Sequence, residues 1–175
     1  MDEFGLATVT PARARVVKDF AASELFARTF HEGMELVEET AAYLDGAGRQ
    51  ESKLLSRNAA LAYASTSMRL TTRLMQVASW LLVQRAVREG DMTADEACQP
   101  RYRIAPVERP ANEDADEIDF GQLPNGLNAL AARAERLYVR VNHLDRRMYV
   151  EARAEGAANP VLSQFERLQS AFGTG

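Results

Sequence analysis

Residues 67–87 read SMRLTTRLMQVASWLLVQRAV and form the middle of a run from Arg49 to Glu89 that contains no glycine or proline. A run of this length without a helix breaker predicts one helix, about 60 Å long if it is unbroken. Its apolar residues follow two lines. The first line comprises Leu54, Leu61, Met68, Met75 and Leu82, and the second comprises Leu70, Leu74, Val77 and Leu81. Two apolar lines predict contact on two sides, as in the central helix of a bundle or an oligomer.

Another helix, the first in chain order, is predicted on the N-terminal side of this run, so that the central helix is the second. Ser23 is a suitable N-cap, and Gly46-Ala47-Gly48 supplies a stop after Asp45. The predicted buried stripe of this helix comprises Phe26, Phe30, Gly33, Val37, Ala41 and Leu44. A glycine in a helix costs about 1 kcal/mol relative to alanine, so Gly33 indicates that another helix crosses closely there.

A third helix is predicted after Pro124, because apolar residues alternate at spacings of three and four. They are Leu127, Leu130, Ala134, Leu137, Val141, Leu144 and Met148. This pattern is a coiled-coil seam three heptads long. The central helix should end at Gly90, and Thr93 to Glu96 has the spacing of a capping box for a short extra turn.

The segment between the second and third long helices differs in composition. Residues 99–122 contain three prolines, no apolar periodicity and an acidic cluster of Glu113, Asp114, Asp116, Glu117 and Asp119. These features predict a mobile loop. The sequence therefore predicts an all-α protein, an antiparallel three-helix bundle over residues 23–156, with a flexible N-terminal arm over residues 1–22.

A short tail over residues 157–175 follows the bundle and is separated from it by Gly156 and Asn159-Pro160. Its apolar residues have helical spacing and are Leu162, Phe165, Leu168 and Phe172. Such a stripe either packs back on the bundle or folds on a partner as an amphipathic helix. We hypothesise that the tail contacts a partner.

Composition limits the possible classes of protein. A chain of 175 residues that is 46% hydrophobic suits a single domain, and a net charge of -4 gives no general attraction for nucleic acid. The lone Cys98 excludes an intramolecular disulfide, and Met1-Asp2-Glu3-Phe4 lacks the features of a secretion signal. The most apolar run, residues 77–83, is too short to span a bilayer. We expect a cytoplasmic protein.

The chain has no spacing typical of catalysis or of a bound metal or cofactor. Four-helix carboxylate metal sites use Glu-x-x-His, and neither His31 nor His143 follows a glutamate by three residues. Cys98 has no neighbouring histidine or base in the sequence, and Gly46-Ala47-Gly48 does not match a phosphate-binding loop. We therefore predict that the protein is not an enzyme and that its chemistry is binding.

Two charged lines have helical spacing and opposite sign. Glu32, Glu35 and Glu39 share a flank of the first helix, and the third helix carries Arg133, Arg136, Arg140, His143 and Arg147. The lines either pair across a helix interface or form two solvated faces, where each exposed pair contributes about 0 to 1 kcal/mol.

A further line on the central helix combines Arg69, Arg73, Gln76, Trp80 and Gln84 within about 80° of arc. Arginine and tryptophan are enriched at protein-interface hot spots. Arg69, Arg73 and Trp80 are therefore candidate partner-binding residues, together with the four apolar residues of the tail. In the alternative interpretation the arginines pair with glutamates of the first helix, while Trp80 fills the core.

Three blocks of the chain resemble the RcdA family of alphaproteobacteria, the regulators of CtrA degradation. They are residues 31–46 (HEGMELVEETAAYLDG), residues 67–87, and residues 89–93 (EGDMT), and the resemblance extends to the third helix and Asn159-Pro160-Val161. It implies a three-helix bundle, often dimeric, without enzymatic activity. It further implies an adaptor that links cargo proteins to the ClpXP protease, with the response regulator CpdR, during the cell cycle and in some cases at the cell pole.

Other classes of function remain open at this point. One is a helical enzyme or a small-ligand protein with a site inside the bundle, which a deep polar pocket would favour. A weaker one is a nucleic-acid regulator that uses Arg133, Arg136, Arg140 and Arg147. We also expect a homodimer, because three helices of this apolar content leave more hydrophobic stripe than a monomer can easily bury.

Overall fold

The computed structural model describes residues 10–104 and 122–156, and the described residues are arranged as helices joined by short turns. The helices are α1 (Thr10–Ala22), α2 (Glu24–Asp45), α3 (Ala47–Ser52), α4 (Arg57–Glu89), α5 (Ala94–Ala97), a 3-10 turn (Pro100–Tyr102) and α6 (Asn125–Gly156). The three long helices, α2, α4 and α6, pack on one another as the predicted all-α bundle.

The predicted helix ends are confirmed where a cap fixes them. The Ser23 hydroxyl accepts a hydrogen bond from the backbone N–H of Phe26 at 3.1 Å, and α2 begins at the next residue. Gly90 ends α4 with a left-handed φ of 83°, which glycine adopts without a steric penalty. Thr93 and Glu96 form both bonds of the capping box at the start of α5.

The prediction of an unbroken helix from Arg49 was wrong in its first part. The chain leaves α3 after Ser52 through a turn in which the Leu54 N–H donates to the Glu51 carbonyl. Ser56 is extended, at φ -62° and ψ 162°, and its hydroxyl accepts a hydrogen bond from the backbone N–H of Ala59. A serine cap therefore starts a new helix where glycine and proline are absent.

The predicted N-terminal arm is also corrected. Within residues 1–22, Thr10–Ala22 forms α1, which contacts α2, α4, α5 and α6. Val17 is 3% exposed and Ala21 is fully buried, so α1 belongs to the core. Pro11 lies in the first turn of α1, where its missing N–H costs nothing.

The core lies between the long helices and includes the predicted seam of α6. Leu127, Leu137 and Val141 are fully buried, and Leu130, Ala134 and Met148 are nearly so. The buried face of α2 is rotated slightly from the predicted stripe, because Leu36 is buried while Ala41 is exposed.

Gly33 lies where α2 is crossed closely, as its position in the stripe predicted. A Cβ atom there would lie 2.6 Å from Leu81 Cδ1 of α4 and 3.7 Å from Leu137 Cδ2 of α6. The absence of a side chain at Gly33 therefore allows both neighbouring helices to approach α2.

The first part of the predicted mobile loop is packed against the bundle. Residues 99–104 include the 3-10 turn, and Ile104 is only 6% exposed. Leu123, which directly follows the predicted loop, is 4% exposed. Residues 105–121, which contain the acidic cluster, lie outside the described residues.

Candidate partner-binding surfaces

The two apolar lines of the central helix face opposite environments. Leu70, Leu74, Val77 and Leu81 are between 0% and 4% exposed and form part of the core. The line at spacings of seven faces outward: Leu61 is 65% exposed, Met68 72%, Met75 65% and Leu82 52%. We call these four residues the α4 stripe. Leu54, the first member of the predicted line, is 87% exposed but lies in the turn before α4.

The exposed face of α4 carries no charge over most of its length. Between positions 58 and 82 its exposed residues are Asn58, Leu61, Ala64, Ser65, Met68, Thr71, Thr72, Met75, Ser79 and Leu82. Exposed apolar patches on this scale mark interaction sites, because isolated exposed apolar residues are ordinary but a contiguous row is rare in monomers.

The chemistry of this face repeats when it is read in the opposite direction. From Leu61 to Leu82, the residues of this face whose numbers sum to 143 are alike, which pairs Leu61 with Leu82, Met68 with Met75, and Thr71 with Thr72. The same relation pairs Ala64 with Ser79, and Ser65 with the half-buried Ala78. The centre of this symmetry lies between Thr71 and Thr72.

Trp80 is 2% exposed and lies in the core, as in the alternative interpretation in which it fills the core and does not bind a partner. Its ring packs on Phe20 of α1 with a centroid separation of 5.6 Å. Its Nε1–H donates to Oδ1 of Asp145 in α6 at 3.0 Å. Gln84, from the same line, is 3% exposed.

Arg73 pairs within the bundle, although its partner is on α6 and not on the first predicted helix. Its guanidinium forms an ion pair with Glu135 and lies 5.0 Å from the ring centroid of Tyr138. The Arg73 side chain is 18% exposed, and Arg69 is half-buried as well. Arg69, Arg73 and Trp80 therefore lie along the side of α4 that turns into the bundle. The tail candidates Leu162, Phe165, Leu168 and Phe172 lie outside the described residues.

The segment from Pro100 to Ile104 forms the wall of a groove beside α4. Arg103 donates from Nη2 to Oδ2 of Asp145 at 3.2 Å, and Asp145 is 2% exposed. The same carboxylate thus binds Trp80 with one oxygen and Arg103 with the other. This buried acid joins α4, α6 and the segment after α5.

The two charged lines meet at the interface of α2 and α6. Arg133 forms an ion pair with Glu39, and Arg140 forms one with Glu32. These pairs are about half exposed, so each adds little stability. They also neutralise two of the four arginines that a nucleic-acid surface would use. His31 is exposed, and its Nε2 lies 3.1 Å from Oε1 of Glu35 on the same helix.

A second polar contact joins the half-buried Tyr43 to the exposed Glu51 at the end of the bundle near α3. The Tyr43 hydroxyl donates to Glu51 Oε2 at 2.6 Å. Cβ atoms at Gly48 and Gly126 would each lie 2.6 Å from the Tyr43 ring, so both glycines are needed for the ring to fit. Burial is the main cause that raises the pKa of Tyr43, and the hydrogen bond to Glu51 and its negative charge raise it further. Burial also raises the pKa of Tyr63.

Residues with reactive side chains do not form a recognisable reaction centre in the described part of the chain. Burial raises the pKa of the half-buried Cys98 thiol, which disfavours the nucleophilic thiolate. Over residues 10–104 and 122–156, no group of three or more histidine, cysteine and acidic residues could hold a metal ion. Among the described helices, none combines the length and the apolar content needed to cross a membrane.

Asp145 and the groove wall were not among the residues that the sequence predicted. A signal for Asp145 existed, because it follows Val141 by four residues and so falls on the buried seam of α6. Its partners could not be found in this way, since Trp80 and Arg103 are 65 and 42 residues distant.

Comparisons with known proteins agree with this architecture. The model of a family described as a protein of unknown function, DUF1465, matches residues 17–172. The crystal structure of RcdA from Caulobacter crescentus CB15 is similar, with 65% sequence identity and a TM-score of 0.61. The similarity covers 76% of this chain and 98% of that chain. No curated protein matches the chain.

Proposed function

The chain belongs to the RcdA family, DUF1465, and from this premise we propose that it is a non-catalytic adaptor that delivers cargo proteins to the ClpXP protease. The family resemblance of residues 67–87 suggests the same role. In this proposal the chain acts together with a CpdR-like response regulator during the cell cycle. Cytoplasmic location, including the cell pole, belongs to the same proposal.

The observation that carries this proposal is the uncharged exposed face of α4. Four large apolar side chains, the α4 stripe, are each more than half exposed over about 32 Å of helix. A surface of this kind favours association with another macromolecule, because covering it removes apolar area from water. It provides a binding face without requiring a reactive group.

The same face supports a homodimer as the resting form of the adaptor. A two-fold symmetric interface is self-complementary, since each residue i that contacts j is repeated as j contacting i. The α4 face meets this condition for an antiparallel helix pair centred between Thr71 and Thr72, with Met68 against the second copy of Met75. Ala64, Ser65 and Ser79 are small and allow the two helices to approach closely.

The tail gives the adaptor a second contact in this proposal. Its stripe of Leu162, Phe165, Leu168 and Phe172 would bind on the protease side, while the bundle holds cargo. Two separate contacts raise the effective concentration of cargo at the protease, which is the physical basis of delivery.

Protein turnover in cells tests this proposal. Loss of the chain should slow the decay of a subset of ClpXP substrates in a pulse-chase experiment, and expression of the natural chain should restore it. Equal half-lives of all ClpXP substrates with and without the chain would contradict the proposal.

A further inference from the structure

A groove runs between α4 and the segment from Pro100 to Ile104. Its volume is about 440 Å³, within the range of about 300 to 1,000 Å³ that is usual for ligand sites. Its lining comprises Thr72, Met75, Gln76, Ser79, Trp80, Val83, Arg101, Tyr102, Arg103 and Ile104. A second hollow of about 550 Å³ lies against the same segment and shares Arg101, Arg103 and Ile104 with the first.

The outer wall of the groove is held in place by buried contacts. Arg103 is bound by the buried carboxylate of Asp145, and Ile104 is inserted into the core. Because these contacts hold the wall apart from α4, a ligand need not order it on binding, which lowers the entropic cost of association.

The groove also contains a buried acceptor that lacks a partner. Oε1 of Gln76 is inaccessible to solvent and accepts no hydrogen bond from any described residue. A buried polar atom without a partner is costly, and a backbone N–H of a bound chain could satisfy it once the Gln76 side chain turns toward the groove. The neighbouring Met75 and Val83 offer an apolar site beside this acceptor.

The rim of the two hollows is positively charged in a chain whose net charge is -4. It carries Arg101, Arg103 and Arg146, and the single acid in either lining is Asp145, which already binds Arg103. The Arg101 guanidinium lies 4.7 Å from the ring centroid of Tyr102, and its charge is the smallest of the causes that act on the pKa of the exposed Glu96, which it lowers. Arginine held on an aromatic ring is well placed to bind a carboxylate.

We propose that this groove binds an extended acidic peptide that inserts one large apolar side chain between α4 and Tyr102. The apolar side chain would contact Met75 and Val83, and acidic side chains would pair with Arg101 and Arg146. A peptide N–H would donate to Gln76 Oε1 once the Gln76 side chain turns into the groove. This inference names the chemistry of one partner of the proposed adaptor and rests on that function. Its test uses no protease, so a failure here is distinguishable from a failure of the adaptor proposal.

The test measures fluorescence anisotropy of a labelled peptide, Gly-Ser-Glu-Glu-Phe-Glu-Glu-Ser-Gly, titrated with the full chain. Since Thr72, Met75 and Ser79 also belong to the exposed face of α4, the titration is repeated with Met68→Arg, which should prevent a second copy from covering the rim. Two control peptides replace the phenylalanine with serine, or all glutamates with lysine. Arg101→Glu tests the rim, and Arg57→Glu, an exposed arginine in the first turn of α4, is its matched control.

The proposal predicts saturable binding of the labelled peptide. Each control peptide should bind with an affinity at least tenfold weaker. Arg101→Glu should weaken binding by about tenfold and Arg57→Glu should leave it unchanged, because an exposed charge acts only on a nearby partner. Ser79→Trp should fill the groove and abolish binding. Equal affinity for the glutamate and lysine peptides, or equal effects of the two arginine variants, would overturn the proposal. A further result would also overturn the proposal: peptide binding that is seen only when the acidic cluster of residues 113, 114, 116, 117 and 119 is neutralised. That result would mean that the acidic cluster of the chain itself occupies the groove.

Discussion

Trp80 and Asp145 are joined by a buried hydrogen bond of 3.0 Å that links the middle of α4 to α6. Asp145 also binds Arg103, so one carboxylate positions both the core tryptophan and the wall of the groove. A buried acid satisfied by two donors specifies a single arrangement of three elements, because any other arrangement leaves a polar group without a partner.

Asp145→Ala should destabilise the protein by about 1–3 kcal/mol, the cost of leaving the buried Trp80 N–H without an acceptor. Asp145→Asn should cost less, since the amide oxygen still accepts from Trp80. Urea unfolding followed by the fluorescence of Trp80, the single tryptophan of the chain, measures both. Asp91→Ala, an exposed acid, is the control and should leave the free energy of unfolding unchanged within about 0.5 kcal/mol. Equal stability of the Asp145→Ala variant and the natural protein would show that the network does not support the fold.

Gly33→Ala should destabilise the bundle although alanine favours helices. The new methyl group would lie 2.6 Å from Leu81 Cδ1, and overpacking of this kind costs about 1–3 kcal/mol. The gain in helix propensity offsets about 1 kcal/mol of that cost. Thermal unfolding should show a lower Tm for Gly33→Ala than for the exposed control Ala42→Ser. A higher Tm would mean that Leu81 moves aside freely.

Alkaline conditions should destabilise the end of the bundle near α3. The folded state raises the pKa of Tyr43, so the neutral phenol stabilises the protein at low pH, and this contribution declines as pH rises above about 10, the ordinary pKa of tyrosine. Tyr43→Phe should therefore reduce the loss of stability between pH 9 and pH 11. The measurement is urea unfolding at each pH. An identical decline in the natural chain and in Tyr43→Phe would exclude Tyr43 as a source of the effect.

The α4 face should mediate self-association. Met68→Arg places a charge at the centre of the proposed interface, so it should shift a dimer to a 19.4 kDa monomer in sedimentation at micromolar concentration. Val139→Arg changes an apolar residue of α6 that is also more than half exposed, at 56%, and should leave association unchanged. If the natural chain sediments only as a monomer, the homodimer proposal fails.

Cross-linking tests the direction of the helix pair. In a Cys98→Ser background, Thr72→Cys should link to its own copy through a short thiol cross-linker, because position 72 lies beside the two-fold axis. Leu61→Cys should not, since antiparallel pairing separates the two copies of position 61 by about 32 Å. Efficient linking at both positions would indicate a parallel pair.

The sequence predicted those features of the fold that depend on local chemistry. Ser23, Gly90 and the capping box of Thr93 mark helix ends through bonds to residues a few positions away, and all three are confirmed. The break before Ser56 was missed because a serine cap without an acidic residue three positions later is a weak signal.

Features that depend on distant contacts were less accessible. Helix α1 becomes part of the core through Val17 and Ala21, whose partners are on other helices. The two charged lines were recognised, but only the structure shows that Glu39 meets Arg133 and Glu32 meets Arg140. The spacing of apolar residues on the central helix indicated two apolar faces, but only the structure shows that the α4 stripe is the exposed one.

Reconstituted degradation is the most direct measurement of the proposed adaptor function. Purified ClpXP, a CpdR-like regulator and a labelled cell-cycle substrate are incubated with the full chain or with a chain that ends at residue 156. The account predicts that the full chain accelerates substrate loss, whereas the truncated chain binds the substrate but does not accelerate its loss. Unchanged rates for every cell-cycle substrate tested with the full chain would contradict the adaptor function, and full acceleration by the truncated chain would remove the tail from it.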